Sequence, residues 1–252
     1  MKIVATVEVR MGSSRLPGKA MMDVVGRPLL ARVIERIRLC PSIGHIVVAT
    51  TVHPDDDVIE SFCLQSGVAV HRGSEEDVLQ RVVDAAEGAG ADLVVQFGGD
   101  SPFIDWQLVE ELLRAYRSDP SVDLLTNCLT LTYPLGVYTF VVPMANLRLI
   151  ALEAKRPDER EDVTRAIWEH PERWRLRNLE APDALRRPHV RLTVDYPEDL
   201  ALTRELYARL LPTRPAFTTR DVLAVLDAEP TLARINAHCV QRSAPHIPRD
   251  GA

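Results

Sequence analysis

Four short apolar runs in the first half of the chain, each followed by a segment with helical spacing, restrict the folds open to this sequence. The apolar runs span residues 2–8, 45–51, 68–71 and 92–97, and helical spacing follows at 28–39, 55–66, 75–87 and 106–116. Strands that alternate with helices in this way favour a parallel sheet covered on both faces. We therefore predict an α/β fold, with a three-layer α/β/α arrangement around a mostly parallel, Rossmann-like sheet.

The second half of the chain is less regular. It predicts strands at 123–132, 137–142 and 189–194, and helices at 158–169, 197–211 and from 217 to about 230. No internal repeat, low-complexity run or flexible linker separates the two halves. We expect a single domain over residues 1–240, with a small inserted region at roughly 123–188 and a tail at 241–252.

Charge and cysteine usage limit the partners of the chain. The formal net charge is −6 and no sustained basic tract offsets it, so general nucleic-acid binding is not expected. The four cysteines are scattered without a C-x-x-C pair, which favours reduced thiols in a cytoplasmic protein. No window approaches eighteen consecutive apolar residues, and no membrane span is expected.

The loop after the first predicted strand carries an unusual set of residues. The sequence RMGSSRLPGK at 10–19 places Arg10, Arg15 and Lys19 around two glycines and two serines. Glycines allow close backbone approach to an anion, and cations neutralise phosphate charge. A Walker A loop does not fit, because five residues separate the glycines and Ala20 follows the lysine. A phosphate site is favoured over a solvated basic turn.

Two aspartates stand where strands are predicted to end. Asp100 follows Gly98 and Gly99 directly, and Asp195 follows the predicted strand at 189–194. Ligands of open α/β sheets gather at the carboxyl ends of strands, where such carboxylates could hold Mg²⁺. Asp100 could equally cap a turn, and Asp195 could help to begin the next helix. The residues alone leave both interpretations open, while Glu198 and Asp199 suit the first turn of that helix.

The motif at 10–19 resembles the R-x-G-S-x-R-[LI]-P-x-K signature of the CMP-sugar synthetases, which activate acidic sugars with CTP. The whole chain is more similar to the cytidylyltransferase-like family of the spore coat polysaccharide biosynthesis protein SpsF. The likeness extends over further blocks in order: RGSEEDVLQR at 72–81, GGDSPFID at 98–105, YPLG at 133–136, REDVT at 160–164, RLTVDYPEDL at 191–200, and FTTRDVL with P-x-L-x-x-I-N at 217–236.

This resemblance implies a nucleotide-diphospho-sugar transferase type of sheet and a Mg²⁺-dependent transfer of CMP from CTP, with release of pyrophosphate, in a homodimeric enzyme of polysaccharide biosynthesis. It implies catalytic roles for Arg15, Lys19 and Asp100, and a metal held by Asp100 and Asp195. The implied nucleotide-binding residues are Arg10, Met11, Gly12, Ser13, Arg15, Lys19, Arg72, Gly73, Ser74, Gln96 and Gly99. The implied acceptor-binding residues are Tyr133, Gly136, Tyr138, Arg160 and Glu161.

Several positions depart from the family pattern. Glu8 replaces the usual glutamine, Gln96 replaces the usual arginine, and Tyr138 and Phe140 replace two acidic residues. These changes indicate an acceptor different from that of most relatives: a sugar acid, a phosphonate or a phosphorylated small molecule. CTP is expected, and another triphosphate is not excluded by the sequence. The alternatives are a glycosyltransferase, although no D-x-D motif stands outside the run at 55–57, and a non-catalytic nucleotide-binding homologue.

Overall fold

The computed structural model describes residues 1–241, so the predicted tail beyond Gln241 lies outside the described residues. Seven strands are present: β1 (Ile3–Glu8), β2 (His45–Thr51), β3 (Ala69–Gly73), β4 (Leu93–Gly98), β5 (Leu124–Thr126), β6 (Phe140–Pro143) and β7 (Leu176–Asn178). The α-helices are α1 (Leu29–Arg38), α2 (Asp57–Gln65), α3 (Val78–Gly88), α4 (Trp106–Ser118), α5 (Met144–Glu153), α6 (Pro157–Glu161), α7 (Arg165–Trp168), α8 (Pro197–Leu210) and α9 (Thr219–Ala228).

All seven strands form one sheet in the order β3-β2-β1-β4-β6-β5-β7. β1 pairs in parallel with β2 and with β4, and β6 runs antiparallel to β4. The strand order therefore reverses at β1 and β4, and a ligand site is expected beyond the carboxyl ends of these strands. The predicted α/β fold with a mostly parallel sheet is confirmed.

Two apolar cores cover the two faces of the sheet. Side chains of successive strand residues point to opposite faces, so Ala5 and Val7 join one core while Val4 joins the other. The larger core includes apolar residues of α1, α4, α8 and α9, and the smaller one includes those of α3 and α5. Both faces of β1 are thus buried, which explains its nearly continuous apolar sequence.

In the second half of the chain, two predicted elements are shorter or divided, because side chains make hydrogen bonds in place of the regular backbone ones. The strand expected at 123–132 ends at Thr126, because Asn127 donates to Val137 O (2.6 Å) and accepts from Thr139 N (2.9 Å). The helix expected at 158–169 is divided into α6 and α7, where the side chain of Asp162 accepts from Thr164 N at 3.3 Å.

The strand expected at 189–194 is also absent from the sheet. Among residues 1–241, its only ladder contact is an isolated bridge between Leu135 and Arg191. Conversely, α5 and β7 were not predicted. Within residues 1–241, no helix combines the length and apolar character that a membrane crossing requires. The four cysteines are free thiols, and three of them are buried.

Candidate active site

Two cavities open at the carboxyl edge of the sheet and meet over the predicted site. The first has a volume of about 670 Å³ and the second of about 400 Å³. The first extends from the 10–19 loop towards α3, and the second extends from the end of β4 towards α6 and α7. Both are lined by Glu8, Arg15, Gly98, Asp100, Glu161 and Asp195.

The 10–19 loop is closed by its own backbone at the end of β1. Met11 O accepts hydrogen bonds from Ser13 N (2.8 Å) and Gly18 N (2.9 Å). Met11 N donates to the buried carboxylate of Asp56 at 2.7 Å. These bonds turn the Met11 backbone away from the cavity and fix the positions of Arg15 and Lys19, which line it.

Lys19 lies at the centre of the site. Its Nζ donates to Asp100 Oδ2 (2.9 Å), Asp195 Oδ1 (3.0 Å) and Val194 O (2.7 Å). Burial alone would lower the pKa of Lys19, but the two carboxylates outweigh it and raise the pKa above its usual value. Burial also acts to raise the pKa of Asp195, and the charges of Lys19, Arg15 and Arg191 reverse this effect and lower it. Lys19 is therefore cationic and Asp195 anionic.

Two arginines each have a buried, unused donor atom in this cleft. Arg15 Nη2 donates to Asp195 Oδ1 at 2.7 Å, whereas Arg15 Nη1 is buried without a hydrogen-bond partner among the described residues. Arg81 Nε is likewise buried without a partner in the described part of the chain. Buried donors without partners are costly, and phosphate oxygens satisfy them well. The first cavity is therefore chemically suited to a polyphosphate.

A second layer of side chains holds Asp195 in place. Arg191 Nη2 donates to Asp195 Oδ2 at 2.7 Å, and Arg191 Nε donates to Asp199 Oδ1 at 2.9 Å. Asp199 caps α8 by accepting from the backbone N–H groups of Asp195 (2.9 Å) and Tyr196 (3.0 Å). Asn236 Nδ2 donates to Asp199 Oδ1 at 2.8 Å. Asp199 lies in the first turn of α8 as expected, and it also positions the predicted metal ligand.

Because both partners are buried, the Asp199→Ala substitution is expected to lower the free energy of unfolding by about 3–5 kcal/mol, as Arg191 loses one of its two carboxylate partners and two backbone N–H groups lose their acceptor. Urea denaturation measures this loss. Glu198→Ala is the matched control, since Glu198 lies in the same turn with an exposed side chain, and it should change stability by less than about 0.5 kcal/mol. Equal effects of the two substitutions would contradict the role of the buried pair.

The donor set suits Mg²⁺. Asp100 and Asp195 both place a carboxylate oxygen within 3.0 Å of a single point, the Lys19 ammonium, so the two carboxylates converge. Carboxylate oxygens are the protein ligands that Mg²⁺ prefers, and Asp195 is held ionised. The predicted metal ligands thus meet at the junction of the two cavities.

The structure brings together part of the predicted nucleotide set. Arg10, Ser13 and Gly99 line the first cavity, and Gly12 lies next to Glu75 at its edge. Arg72, in contrast, is bound to Asp57 (2.6 Å), Glu60 (2.8 Å) and two backbone carbonyls outside the cavity. Gly73 packs against the side chain of Arg81, and the carbonyl of Ser74 accepts a hydrogen bond from Arg81. Gly73 and Ser74 therefore position Arg81 rather than line the cavity.

The predicted acceptor residues are divided in the same way. Tyr138 and Glu161 line the second cavity, and Gln96 lies there rather than in the first. Tyr133 is buried and lines a separate, third cavity with Asp105. Arg160 binds Asp77 at 2.5 Å and joins α6 to the start of α3. Tyr133 and Arg160 thus lie outside both cavities of the site.

Gly136 supports the site through close backbone packing. It has a φ of +92°, and a Cβ there would lie 2.5 Å from Thr193 N, two residues before Asp195. We expect Gly136→Ala to destabilise the fold by about 1–3 kcal/mol, measured by chemical denaturation. Gly26 has a φ of +80° with open space around it, so Gly26→Ala measures the cost of the backbone angle alone. If the two substitutions cost the same, close packing at Gly136 is not important.

Sequence reasoning missed Glu8 and Arg81 as residues of this site. Glu8 ends β1 and lines both cavities, and burial raises its pKa to about 8 despite a hydrogen bond from Gln96. Arg81 lies on α3 and reaches the first cavity beneath Glu75. The position of Glu8 directly before the loop was a usable signal. No sequence signal indicated Arg81, because arginines are common on exposed helix faces and nothing in the pattern distinguished this one.

The reversed strand order, the phosphate-suited loop and the converging carboxylates define a nucleotide-binding α/β transferase. The sequence profile of the cytidylyltransferase family matches residues 4–218. The chain belongs to this family, and it is a cytidylyltransferase. The predicted resemblance is confirmed.

Individual relatives agree with this assignment. The spore coat polysaccharide biosynthesis protein SpsF of Bacillus subtilis is 32% identical over 237 residues, which covers 92% of this chain and 96% of that protein. The 3-deoxy-manno-octulosonate cytidylyltransferase of Escherichia coli is 34% identical over 128 residues, about half of each chain (50% and 51%). A cytidylyltransferase structure from Leptospira borgpetersenii superimposes with a TM-score of 0.84 at 27% identity, covering 92% of this chain and 95% of that one.

A further solved structure shares the fold. It is a CMP:2-keto-3-deoxy-manno-octonic acid synthetase in complex with CTP, and it superimposes with a TM-score of 0.64 at 21% identity over 83% of this chain and 99% of that one. At this identity the comparison supports the architecture alone.

Proposed function

We propose that the protein transfers CMP from CTP to a small-molecule acceptor in a Mg²⁺-dependent reaction that releases pyrophosphate. The observation that carries the proposal is the position of Lys19 between Asp100 and Asp195, where the two cavities meet. The membership of the chain in the cytidylyltransferase family favours CTP over other triphosphates. The relationship to SpsF supports a role in polysaccharide biosynthesis.

In this proposal the first cavity holds the nucleotide and the second holds the acceptor. Lys19, Arg15 and Arg81 face the triphosphate and neutralise its charge, and the buried free donors of the two arginines bind its oxygens. Asp100 and Asp195 would hold Mg²⁺, which would supply positive charge to stabilise the attacked phosphate and the departing pyrophosphate.

The reaction is a displacement at the α-phosphorus. An oxygen of the acceptor forms the new P–O bond, and the bond from the α-phosphorus to the bridging oxygen of the β-phosphate breaks. The electron pair of that bond leaves with pyrophosphate, and a hydroxyl acceptor releases its proton to solvent. Catalysis of this kind depends on positioning and on fixed charges, which the buried network around Asp195 supplies.

Calorimetry with CTP, followed by an assay of pyrophosphate release with candidate acceptors, tests the proposal. We expect CTP to bind with Mg²⁺ and to bind much more weakly without it, and pyrophosphate to appear only when an acceptor is added. A glycosyltransferase would instead bind and consume a nucleotide sugar. A non-catalytic homologue would bind CTP without releasing pyrophosphate with any acceptor, and either result would overturn the proposal.

A further inference from the structure

Charge is distributed unevenly between the two cavities. The residues that line only the first include three cations, Arg10, Lys19 and Arg81, and two acids, Glu75 and Glu76. The residues that line only the second include two acids, Asp158 and Asp162, and one arginine, Arg165. Both cavities share four acids, Glu8, Asp100, Glu161 and Asp195, and one arginine, Arg15. The cations are therefore concentrated at the nucleotide end, and the acceptor end is acidic.

Both arginines of the second cavity are already bound to carboxylates. Arg15 donates to Asp195 at 2.7 Å, and Arg165 donates at 2.8 Å to Glu169, the residue that follows α7. Glu161 lines both cavities, and its side chain forms no ion pair within residues 1–241. The remaining free donor, Arg15 Nη1, is assigned to the triphosphate in the proposed function. An acidic acceptor would thus find no cation among the described residues left to pair with, and the carboxylates of the cavity would repel it.

The floor of the second cavity offers hydrogen-bond acceptors. Gln96 Nε2 donates to both carboxylate oxygens of Glu8, at 2.8 and 3.0 Å. This arrangement fixes the orientation of the amide and directs Gln96 Oε1 away from Glu8. Gln96 is 6% exposed, and its Oε1 is buried without a hydrogen-bond partner among the described residues. A buried carbonyl oxygen of this kind requires a donor, which a ligand in the cavity or an ordered water supplies.

The wall of the cavity next to Gln96 is apolar. Phe140 stands beside Gln96 in the β4–β6 register, and Val163 and the ring of Tyr138 continue this wall. A ligand that fits the cavity therefore combines a carbon skeleton with strong donors at the Gln96 end.

We propose that the acceptor carries a protonated amine, which binds at the Gln96 end of the second cavity and donates to Gln96 Oε1, with Glu8 and Glu161 providing opposite charge. This inference rests on the proposed function, and it replaces the acidic or phosphorylated acceptor expected from the sequence. An ammonium group supplies three donors and the missing positive charge in one small group. The ammonium group also favours the ionised form of Glu8. Without such a cation, burial raises the pKa of Glu8 to about 8.

Four hexose probes of similar size test the charge preference: glucosamine, glucose, glucuronic acid and glucose 6-phosphate. Their binding to the full chain is measured by calorimetry or ligand-observed NMR at millimolar concentration, with and without CTP and Mg²⁺. We expect glucosamine to bind at least tenfold more tightly than glucuronic acid or glucose 6-phosphate, and more tightly than glucose. Equal or better binding of either acid or of glucose, or binding of none of the four, would overturn the inference.

Two variants place this binding in the cavity. Gln96→Leu should weaken glucosamine about tenfold and leave glucose nearly unchanged, because it removes a hydrogen bond to a charged group. Gln65→Leu, on the exposed end of α2, is the control and should change neither. The double change Glu8→Gln with Gln96→Arg raises the formal charge of the cavity by two and should reverse the preference towards glucuronic acid. An unchanged preference in both Gln96 variants would show that the amine binds elsewhere.

The test separates this inference from the proposed function. Sugar binding without nucleotide measures the charge preference of the second cavity, whether or not CTP binds. If CTP and Mg²⁺ fail to bind while glucosamine is preferred, the proposed function fails and the cavity assignment remains. If CTP and Mg²⁺ bind while an acidic sugar is preferred, the amine inference fails and the proposed function remains.

Discussion

Lys19→Ala is expected to lower the rate of pyrophosphate release by about 100- to 1,000-fold. It is also expected to weaken the binding of CTP measured in the presence of Mg²⁺. The ammonium is a fixed cation at the point where the cavities meet, and removal of one such electrostatic group from a buried site typically has an effect of this size. Asp195 keeps Arg15 and Arg191 as partners, so the fold should persist. Steady-state kinetics and calorimetry measure the two effects.

Lys2→Ala is the control for Lys19→Ala. Lys2 is an exposed lysine just before β1, so its removal changes the net charge equally without touching the site. It should leave turnover and nucleotide binding within twofold of the unaltered protein. Full pyrophosphate release by Lys19→Ala, with circular dichroism showing an intact fold, would contradict the proposed role.

The second large effect is expected for Asp100→Asn. Turnover should fall by about 100- to 1,000-fold because one of two converging carboxylates is lost from the metal site. Binding of CTP without Mg²⁺ should stay the same or improve, since a negative charge near the triphosphate has been removed. The stimulation of binding by Mg²⁺ should disappear. Calorimetry at several Mg²⁺ concentrations separates these two opposite changes.

Asp227→Asn is the matched control, because the side chain of Asp227 is 66% exposed and lies far along the chain on α9. It should retain both turnover and Mg²⁺ stimulation. If Asp100→Asn weakens CTP equally with and without Mg²⁺, the carboxylate is not a metal ligand.

Local sequence signals were sufficient for the first half of the fold. β1 and β2 occur almost where the apolar runs predict them, because each run is buried between two layers of helices. The elements of the region at 123–188 were harder to predict. Side chains such as Asn127 and Asp162 make hydrogen bonds there in place of regular backbone hydrogen bonds. A sequence pattern does not distinguish an asparagine that takes the place of a strand partner from one in an ordinary loop.

The site shows the same division. Arg15, Lys19 and Asp100 were predictable, because they follow β1 and β4, whose carboxyl ends meet at one edge. Asp195 reaches the same place although its predicted strand does not form, because Val194 N donates to Asp100 O at 2.9 Å. Arg72 was misplaced, since only the fold shows that Asp57 and Glu60 hold it outside the cavity. The pairing of Glu8 with Gln96 was also hidden, because these two departures from the family pattern lie 88 residues apart and meet only across adjacent strands.

A crystal structure of the full chain with CTP and Mg²⁺ tests the central claim most directly. We predict the triphosphate in the first cavity, with its oxygens bound by Lys19 and Arg15, and a metal ion in contact with both Asp100 and Asp195. The second cavity should open onto the α-phosphate. A triphosphate bound elsewhere, or a metal that contacts neither aspartate, would contradict the account.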